Sequence, residues 1–498
     1  MAEKARRLGA RELLGTVLDD GSWVGWDTAP VQPTTEGSPY AAELAAARQR
    51  SGCDEAIITG EGRIHGRRVA IIAGEFRFLA GSIGAVAAER VVVAFERARR
   101  EELPMFAAPS SGGTRMQEGT PAFVAMVKIS AACAQFKAAR LPYLVYLRHP
   151  TTGGVLASWG SLGQVTVAEP GAMIGFLGPR VYEALYGRPF PEGVQTAENL
   201  FEHGLIDAIL PVEALAETAD RALNVLMGPR EALPDVPDVV TEPLPDIPAW
   251  ESIERSRREH RPGVRALLKL GATDVLPLHG SGSGEYDPGL LMALARFGGA
   301  PCVVLGQDRR GQTLEEPLSP KGLRVARRGM GLARELNLPL VSIIDTAGAA
   351  LSKEAEEGGM AGEIARSLAD LVTLEAPTLC VLLGQGTGGG ALALMPADRV
   401  ICAQHSWLSP LPPEGASAIL HRDTTHAPEL ATAQRVRSLD LLADGIVDRI
   451  VAEHPDAADE PEAFCRRMSQ AIQQELATLA HEHPRERLEA RLARYRTL

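Results

Sequence analysis

The sequence lacks the features that mark several common classes of protein. No uninterrupted apolar run approaches the roughly 18 residues of a membrane helix, and the charged N-terminal segment has no apolar core of a signal peptide. Of the 498 residues, 63 are acidic and 51 are basic, which gives a net charge of −12. Nucleic-acid binding usually needs a basic surface, so this charge argues against it. We therefore expect a cytoplasmic protein with neither membrane nor nucleic-acid partners.

Metal and redox motifs are missing as well. The six cysteines include no CxxC pair, and most lie in apolar segments such as "TLCVLL", which predicts buried, reduced thiols. No H-E-x-x-H motif is present, and the eleven histidines are scattered. His149 and His405 lie near glycine-rich turns, but isolated histidines are more typical of structural roles. We expect no metal on this chain.

What the sequence does contain is one order of elements that occurs twice. In each half, an amphipathic helix, a proline and a short apolar strand follow one another, and the same series then repeats. Pro104 and Pro142 are 38 positions apart, as are Pro339 and Pro377. This spacing indicates a duplicated architecture. Apolar runs between amphipathic helices indicate strands that are buried on both faces.

A change in composition separates the two halves. The segment from about Met227 to Gly263 is rich in proline and charge and has no sustained apolar period, which predicts a linker that leads into a short helix. We therefore predict two α/β domains, residues 1–240 and residues 241–498.

In each half, one apolar strand is also followed by a turn that is rich in glycine. These turns are "TTGGVLAS", Thr151 to Ser158, and "GTGGGALAL", Gly386 to Leu394. Consecutive glycines before a helix expose N–H groups, which stabilise a negative oxygen when no Cβ blocks its approach. The alternative is that the glycines serve only tight turns or close packing. Two turns in matched positions favour two oxyanion sites.

No side-chain catalyst of a familiar kind accompanies these turns. The sequence has no G-x-x-x-x-G-K-[ST] phosphate loop, so "DTAG" at Asp345 to Gly348 is a poor GTPase switch. It also has no G-x-S-x-G nucleophile elbow. Backbone donors without an obvious acid or base fit a reaction whose reactants bring their own base.

Long segments of the chain closely resemble the carboxyltransferase of acetyl-CoA carboxylase. Three segments are similar to its β subunit: Ser110–Phe123, Thr151–Val181 and Pro191–Leu210. Four more are similar to its α subunit: Ala249–Gly263, Ile343–Ala349, Gly384–Leu420 and Leu441–Val451. The order is β then α, as in the single-chain acyl-CoA carboxylase β subunits. The resemblance implies two tandem crotonase-like domains, the first binding acyl-CoA and the second binding carboxybiotin.

The resemblance also implies a reaction. A carboxyl group passes from carboxybiotin on a carrier protein to acetyl-CoA or propionyl-CoA, giving malonyl-CoA or methylmalonyl-CoA, as in fatty acid biosynthesis. Negative charge develops at the thioester oxygen and at the ureido oxygen of biotin, so two oxyanion holes are needed. The freed ureido nitrogen can remove the α-proton, which accounts for the missing protein base.

Site residues follow from the same resemblance. Gly153 and Gly154 are assigned to the thioester oxygen. Gly389 and Gly390, with the Ala391 amide, are assigned to the ureido oxygen, although three consecutive glycines leave this frame open by one residue.

Two further segments resemble the CoA-binding surface. Their candidate residues are Gly81, Ser82 and Gly84 in the first segment, and Ser111, Gly112, Gly113 and Arg115 in the second. Two roles are open to Arg115: contact with a phosphate or a structural ion pair.

The sequence departs from the family in the second half. The usual "DTPGAYPG" is here "DTAGAALS", with Ala347 for proline and Ala350 for tyrosine, and "SPEG" is expanded to "SPLPPEG". Both changes lie on the biotin side and put the acyl-chain or carrier preference in question. A biotin-dependent or malonate decarboxylase, and a scaffold subunit without turnover, are therefore kept as alternatives.

Motifs that the reaction needs but this sequence lacks imply partner proteins. No A-M-K-M biotinylation motif and no ATP-binding half are present, so biotin carboxyl carrier protein and biotin carboxylase are expected on separate chains. By analogy with the family, we expect a homo-oligomer, a dimer or a hexamer. Its active sites should lie where the first domain of one chain meets the second domain of another.

Overall fold

The computed structural model describes residues 8–228, 243–313 and 316–497. The chain divides into two compact units, unit 1 (Met1–Leu223) and unit 2 (Asn224–Leu498). The domain boundary expected between residues 240 and 241 lies outside the described residues.

Unit 1 is an α/β unit in which most helices follow a strand. Its strands are β1 (Val24–Gly25), β2 (Ile57–Ile64), β3 (Arg67–Gly74), β4 (Met105–Ala108), β5 (Tyr143–Leu147), β6 (Thr151–Thr152), β7 (Val165–Ala168), β8 (Ile174–Gly175) and β9 (Ala208–Ile209). Its helices are α1 (Ala10–Val17), α2 (Pro39–Ser51), α3 (Ala85–Arg100), α4 (Gly119–Ala138), α5 (Pro179–Tyr186), α6 (Ala197–Glu202) and α7 (Leu215–Leu226), the last of which ends in the first residues of unit 2.

The main sheet of unit 1 is mixed. Its strand order is β1-β2-β3-β4-β5-β7-β9. The strands β1, β2 and β3 are antiparallel, whereas β3, β4, β5, β7 and β9 are parallel. Every residue of β4 and β5 is buried, as expected for parallel strands that are covered on both faces. The strands β6 and β8 form a small separate sheet.

Helical periodicity explains how α3 packs on this sheet. Its buried residues include Ala87, Val91 and Phe95, spaced four apart, so they lie on one face of the helix. The Phe95 ring meets the Tyr143 ring of β5 edge-on at 5.2 Å between centroids and the Phe136 ring of α4 at 5.5 Å. Aromatic packing therefore joins both helices to the sheet.

Unit 2 has the same kind of architecture. Its strands are β10 (Thr273–Leu278), β11 (Leu290–Phe297), β12 (Ala300–Gln307), β13 (Leu340–Thr346), β14 (Thr378–Thr387), β15 (Arg399–Ala403), β16 (Trp407–Ser409) and β17 (Arg449–Val451). Its helices are α8 (Ala249–Ser256), α9 (Val264–Gly271), α10 (Pro320–Leu336), α11 (Lys353–Glu357), α12 (Met360–Val372), α13 (Gly388–Leu392), α14 (Pro413–His421), α15 (Ala427–Ala433), α16 (Ser438–Ala443), α17 (Pro461–His481) and α18 (Pro484–Thr497).

Strand order and direction repeat in unit 2. The main path is β10-β11-β12-β13-β14-β15-β17, and β16 pairs with the end of β14. The first three strands are antiparallel, and β12, β13, β14, β15 and β17 are parallel. The duplication predicted from the proline spacing is therefore visible in the sheets.

A constant shift of 235 positions relates the central part of the two units. Met105 pairs with Tyr143 across β4 and β5, and Leu340 pairs with Thr378 across β13 and β14. Both residues of the second pair lie 235 positions after their counterparts. The isolated bridges Ile83–Thr114 and Leu318–Ala349 obey the same shift. Equivalent positions can thus be compared residue by residue.

The amino-terminal hairpin of each sheet was not predicted from the apolar pattern. The β2–β3 hairpin turns at His65 and Gly66, and the β11–β12 hairpin turns at Gly298 and Gly299. All four residues have positive φ, between 48° and 105°. Such two-residue turns match the twist of antiparallel strands, and glycine adopts them at little cost.

The cysteine prediction is confirmed, because all six cysteines are buried free thiols. Among the described residues, none of the helices is both long and apolar enough to cross a membrane.

The last helix is fixed to unit 2 by a buried arginine. Arg491 of α18 is 1% exposed and forms a two-pronged ion pair with Asp398, with N–O distances of 2.8 and 2.7 Å. Its third nitrogen donates to the Leu374 carbonyl at 2.7 Å. One side chain therefore connects α18, the start of β15 and the end of α12.

We expect Arg491→Ala to destabilise unit 2, because it removes the two-pronged partner of the buried Asp398 carboxylate and leaves it, among the described residues, only the 3.3 Å ion pair with Arg487. Removing one member of a buried pair typically costs about 3–5 kcal/mol. Arg485→Ala on the same helix is the control, since the Arg485–Glu489 pair is 82% and 64% exposed. Urea unfolding should move to lower concentration for Arg491→Ala alone; equal midpoints for the two variants would contradict this role.

Candidate active site

Three loops of unit 1 meet beyond the carboxyl ends of its parallel strands. They follow β3, β4 and β5, and backbone hydrogen bonds join them. Gly112 N–H donates to the Ala80 carbonyl at 2.8 Å, and Thr152 N–H donates to the Ser111 carbonyl at 2.9 Å. The Ser111 hydroxyl donates to the Gly81 carbonyl at 2.6 Å. The two predicted CoA-binding segments and the first glycine turn therefore lie together.

The first glycine turn begins directly after β6. Gly153 has a φ of 62°, and a Cβ on it would lie 3.3 Å from the Gly113 Cα, so both conformation and space favour glycine. The Gly153 N–H donates to the carbonyls of Gly175 and Phe176. Within the described residues, the N–H groups of Gly154 and Val155 have no protein acceptor. The turn thus presents two adjacent donors to a ligand.

Arg115 is fully buried in an ion pair, which favours the second of the two roles open to it. Its guanidinium donates to the Glu55 carboxylate, which is also fully buried, and to the Ser82 carbonyl at 2.8 Å. Burial opposes the charged form, but Glu55 outweighs it and raises the pKa of Arg115. A phosphate in solvent cannot reach this side chain. Arg115 holds the loop that carries Ser82 in place.

Glu118 fills the position where an anion would otherwise meet helix α3. Its carboxylate accepts from the Ala85 N–H at 2.6 Å, at the first residue of the helix, and from the Tyr40 hydroxyl at 2.5 Å. Burial, with the nearby Glu118 carboxylate, raises the pKa of Tyr40 to about 12. A Cβ on Gly84 would lie 2.2 Å from a Glu118 oxygen, so only glycine fits there. Sequence reasoning missed this acidic cap.

Among the predicted CoA-binding residues, exposure separates two groups. Ser82 is half-buried and Gly112 is exposed, whereas the others are buried. The N–H groups of Gly112 and Gly113 are both used within the loops, by the Ala80 carbonyl and the Ser111 hydroxyl. The buried members therefore shape the surface that Ser82 and Gly112 present.

The second glycine turn lies at the junction of β14 and α13. Gly388 has a φ of 61°, and Gly388 and Gly389 are partly exposed, whereas Gly390 and Ala391 are buried. As the first residues of a helix, the three glycines have no acceptor in a preceding helical turn for their N–H groups. A Cβ on Gly390 would lie 3.1 Å from the Ala349 nitrogen. The "DTAGA" loop therefore packs directly against this turn.

The 235-position shift indicates which of the three consecutive glycines in the second turn correspond to Gly153 and Gly154. Gly153 corresponds to Gly388 and has nearly the same φ, 62° against 61°. Gly154 then corresponds to Gly389, and Val155 to Gly390. The two turns thus agree in the φ of their first glycine, in exposure and in position within the fold, although only the second leads directly into an α-helix.

The two loops that depart from the family pattern both lie at the second turn. The "AALS" loop carries Ala350, which lines a cavity of about 440 Å³ together with Tyr286, Lys321 and Arg324. In the "SPLPPEG" loop, the Pro410 carbonyl would lie 3.2 Å from a Cβ on Gly388. The structure therefore places both departures beside this candidate site.

An arginine connects the second of these loops to the strand before the turn. Arg257, directly after α8, donates to the Glu414 carboxylate at 2.5 and 3.2 Å and to the Gln385 side-chain oxygen at 3.1 Å. The guanidinium also stacks near the Trp407 ring, 5.6 Å from its centroid. These contacts order the approach to the glycine turn.

The titratable groups near the two turns are structural. The ring nitrogen Nδ1 of His149 accepts from the Met173 N–H at 2.9 Å. His405 is buried, which lowers its pKa, and its Nε2 contacts the Pro455 carbonyl at 2.9 Å. Asp345 accepts from the Gln385 N–H, and burial raises the pKa of its carboxyl group. Across residues 8–228, 243–313 and 316–497, His, Cys, Asp and Glu form no group that could hold a metal.

Two polar side chains that hold the turns were not singled out from the sequence. The Ser158 hydroxyl donates to the Gly154 carbonyl at 2.5 Å, and the Gln307 amide donates to the Gly390 carbonyl at 2.6 Å. Ser158 lies four residues after Gly154, a spacing that could have indicated the contact. Gln307 lies 83 positions before Gly390, and local sequence carries no signal for such a contact.

Comparison with known proteins gives these sites a context. The chain matches the carboxyl transferase domain over residues 11–489. It is 60% identical over 492 residues to the probable biotin-dependent acyl-coenzyme A carboxylase beta3 subunit of Mycobacterium tuberculosis, covering 99% of each protein. It is 37% identical over 528 residues to the acetyl-coenzyme A carboxylase carboxyl transferase subunits beta/alpha of a Parafrankia species, covering 98% of this chain and 86% of that protein.

Solved structures agree in fold. Transcarboxylase 12S, crystallised as a hexamer with methylmalonyl-coenzyme A, superposes with a TM-score of 0.76 at 20% identity, covering 96% of this chain and 91% of that one. A single-chain, multi-domain long-chain acyl-CoA carboxylase superposes with a TM-score of 0.74 at 20% identity, covering 94% of this chain and 46% of that one. The fold is that of two tandem crotonase-like α/β domains, as the sequence predicts. The chain belongs to the carboxyl transferase family, with the β subunits of biotin-dependent acyl-coenzyme A carboxylases.

Proposed function

We propose that this chain transfers a carboxyl group from carboxybiotin, carried on a separate protein, to a short acyl-CoA, either acetyl-CoA or propionyl-CoA. The observation that carries the proposal is the pair of equivalent glycine turns, one in each unit, each with a partly exposed glycine and N–H groups available as donors. The reaction develops negative charge on two carbonyl oxygens, and each turn supplies donors for one of them. The name of the relative that is 60% identical supports the substrate class.

In unit 1, the N–H groups of Gly154 and Val155 hold the thioester oxygen as it gains enolate character. Gly153 contributes the shape of the turn, since its own N–H is already bonded to neighbouring carbonyls. Ser82 and Gly112 form the exposed part of the CoA-binding surface. Most of the CoA contact is therefore assigned to unit 1.

In unit 2, the start of α13 receives the ureido oxygen of biotin. Its donors are the N–H groups of Gly389 and Gly390, and Gly388 provides the left-handed turn before them. Ala391, whose amide completes the predicted set, closes the same helical turn from a buried position. Bound biotin supplies the carboxyl group and, once this group has left, a ureido nitrogen that accepts the α-proton. The residues of this chain bind and orient both partners.

The assembly we propose is a homo-oligomer in which unit 1 of one chain faces unit 2 of another. Helix α4 supports this arrangement with an exposed apolar face made of Phe123, Val124 and Val127, which are 66%, 53% and 69% exposed. Met116, just before the helix, is 81% exposed. Large clustered apolar residues on a protein surface usually mark an interface. Biotin carboxyl carrier protein and biotin carboxylase complete the proposed complex.

The proposed activity predicts biotin-dependent release of acetyl-CoA from malonyl-CoA, or of propionyl-CoA from methylmalonyl-CoA. Free biotin serves as the acceptor, and the product is followed by chromatography. The faster of the two substrates identifies the preferred acyl chain. Release that is equally fast without biotin would indicate a decarboxylase, and no release with either substrate would indicate a scaffold subunit.

Gly154→Val and Gly389→Val should each lower carboxyl transfer about 10²–10³-fold, the typical effect of losing one oxyanion donor. Neither glycine has positive φ. A Cβ at Gly154 would lie 3.3 Å from the Thr114 hydroxyl, and a Cβ at Gly389 would lie 2.6 Å from the terminal methyl of Ile364, which must move aside. The fold should therefore survive. Gly331→Ala, where no atom lies within 4 Å of an added Cβ, is the control.

Thermal melting is measured beside activity for these variants. Activity within about tenfold of wild type would exclude an oxyanion role for that turn. A melting temperature that falls in step with activity would show that the glycines serve packing instead.

Val127→Glu should dissociate the oligomer, because it places a charge in the apolar face of α4, and transfer should be lost with it. Sedimentation velocity at micromolar concentration measures the mass. Val93→Glu on α3 is the control, since Val93 is 44% exposed and lies outside this face. A wild-type chain that sediments as a monomer and still turns over would refute the shared site.

A further inference from the structure

Each glycine turn is held by one buried polar side chain that reaches a carbonyl of the turn. In unit 1 this is the Ser158 hydroxyl, 2.5 Å from the Gly154 carbonyl oxygen. In unit 2 it is the Gln307 amide nitrogen, 2.6 Å from the Gly390 carbonyl oxygen. Ser158 is 4% exposed and Gln307 is fully buried. Neither side chain is exposed enough to meet a substrate.

The two units place these donors at different positions of the same architecture. The 235-position shift pairs Ser158 with Ala393, which has no hydroxyl. The hairpins pair Gln307 with Gly74, since Gly74 lies opposite Ile57 and Gln307 lies opposite Leu290, the first residues of β2 and β11. Each unit therefore keeps one donor and lacks the other.

Space explains why unit 1 cannot use the donor of unit 2. A Cβ on Gly74 would lie 2.6 Å from the Ser110 nitrogen and 3.0 Å from its carbonyl oxygen. No side chain fits there, so the turn of unit 1 depends on the hydroxyl of Ser158. In unit 2 a long side chain from the end of β12 crosses to α13 instead.

The Gly390 carbonyl needs an external donor because α13 ends early. Ala393 N–H donates to Gly389, and Leu394 N–H donates to Ala391 rather than to Gly390. The Gln307 amide takes the place of the missing helical donor. Three consecutive glycines are conformationally permissive, so this bond restricts the peptide groups that begin the helix.

In unit 1 the effect on the proposed donor is direct. The carbonyl of Gly154 and the N–H of Val155 belong to the same peptide group. A hydrogen bond to the carbonyl fixes the plane of that group and polarises its N–H, which makes it a stronger donor. Fixed donors stabilise developing charge better than mobile ones, because no reorganisation is needed during reaction.

The Gln307 amide uses its nitrogen to donate to Gly390, but its side-chain oxygen makes no hydrogen bond within the part of the chain that the structure describes. This oxygen is buried. Leaving such a group unpaired costs about 1–3 kcal/mol. An apolar side chain of similar length would avoid this cost but could not donate to Gly390.

We propose that Ser158 and Gln307 are positioning residues, one for each half of carboxyl transfer. Ser158 orients the Val155 N–H for the thioester oxygen. Gln307, through the Gly390 carbonyl, restrains the glycine peptides at the start of α13, which carry the donors for the ureido oxygen. This inference rests on the proposed function. It predicts that removing either donor affects mainly the substrate on its own side.

The experiment compares Ser158→Ala and Gln307→Met in the full chain, with malonyl-CoA or methylmalonyl-CoA and free biotin as substrates. Each variant should lose about tenfold in kcat, less than loss of a donor itself. The KM for the acyl-CoA should rise in Ser158→Ala alone, and the KM for biotin should rise in Gln307→Met alone. Ser158→Thr keeps a hydroxyl and should therefore keep the wild-type kcat and the wild-type KM values for acyl-CoA and biotin.

Two control variants remove the same kinds of hydrogen bond at more exposed positions, and thermal melting of every variant separates positioning from stability. Ser161→Ala removes a hydroxyl that donates to the Leu156 carbonyl at 2.6 Å, and Gln473→Met removes an amide that donates to the Gly298 carbonyl at 3.0 Å. Both should leave kcat and both KM values unchanged.

Two outcomes would overturn the inference while leaving the proposed function standing. One is that the wild-type chain transfers the carboxyl group and both variants do so at a rate within twofold of wild type. The other is a loss in which the two KM values rise together in step with a lower melting temperature. A wild-type chain without biotin-dependent transfer would instead refute the proposed function.

Discussion

Backbone N–H groups at the ends of buried parallel strands are the feature on which both candidate sites depend. A strand that is covered on both faces must end in a turn before its chain can reach a helix. When glycines form that turn, the first N–H groups of the following segment stay unpaired and accessible. Gly154 and Gly389 hold equivalent places of this kind. The rest of each site serves to keep these donors fixed.

The charged side chains around the first turn are largely paired with one another. Arg115 pairs with Glu55, and Glu118 occupies the start of α3. This internal pairing leaves few free charges beside the first turn, which is compatible with the proposed binding of anionic CoA by a protein with a net charge of −12. In the proposed function, the neutral N–H groups of Gly154 and Val155 are the donors, and the buried charges set the loops around them.

The two units share an architecture but fix their turns differently. Gly74 leaves no room for a side chain, so the first turn relies on Ser158. Ala393 cannot donate, so the second turn relies on Gln307 from a distant strand. The loops with "AALS" and "SPLPPEG" lie at the second turn only, which leaves the first turn close to the family pattern. Duplication thus preserved the backbone geometry while the supporting side chains diverged.

The sequence by itself determined the repeated order of helix, proline, strand and glycine turn, because helical and strand periodicity and glycine chemistry are local properties of the chain. It also indicated the family, through segments long enough to be specific. Tertiary structure decided what depends on residues distant in sequence. It paired Arg115 with Glu55, and it gave Gly153 and Gly388 the same left-handed conformation. It also brought Gln307 to Gly390 across 83 positions, because the neighbours of a side chain at a strand end are set by strand register and not by local sequence.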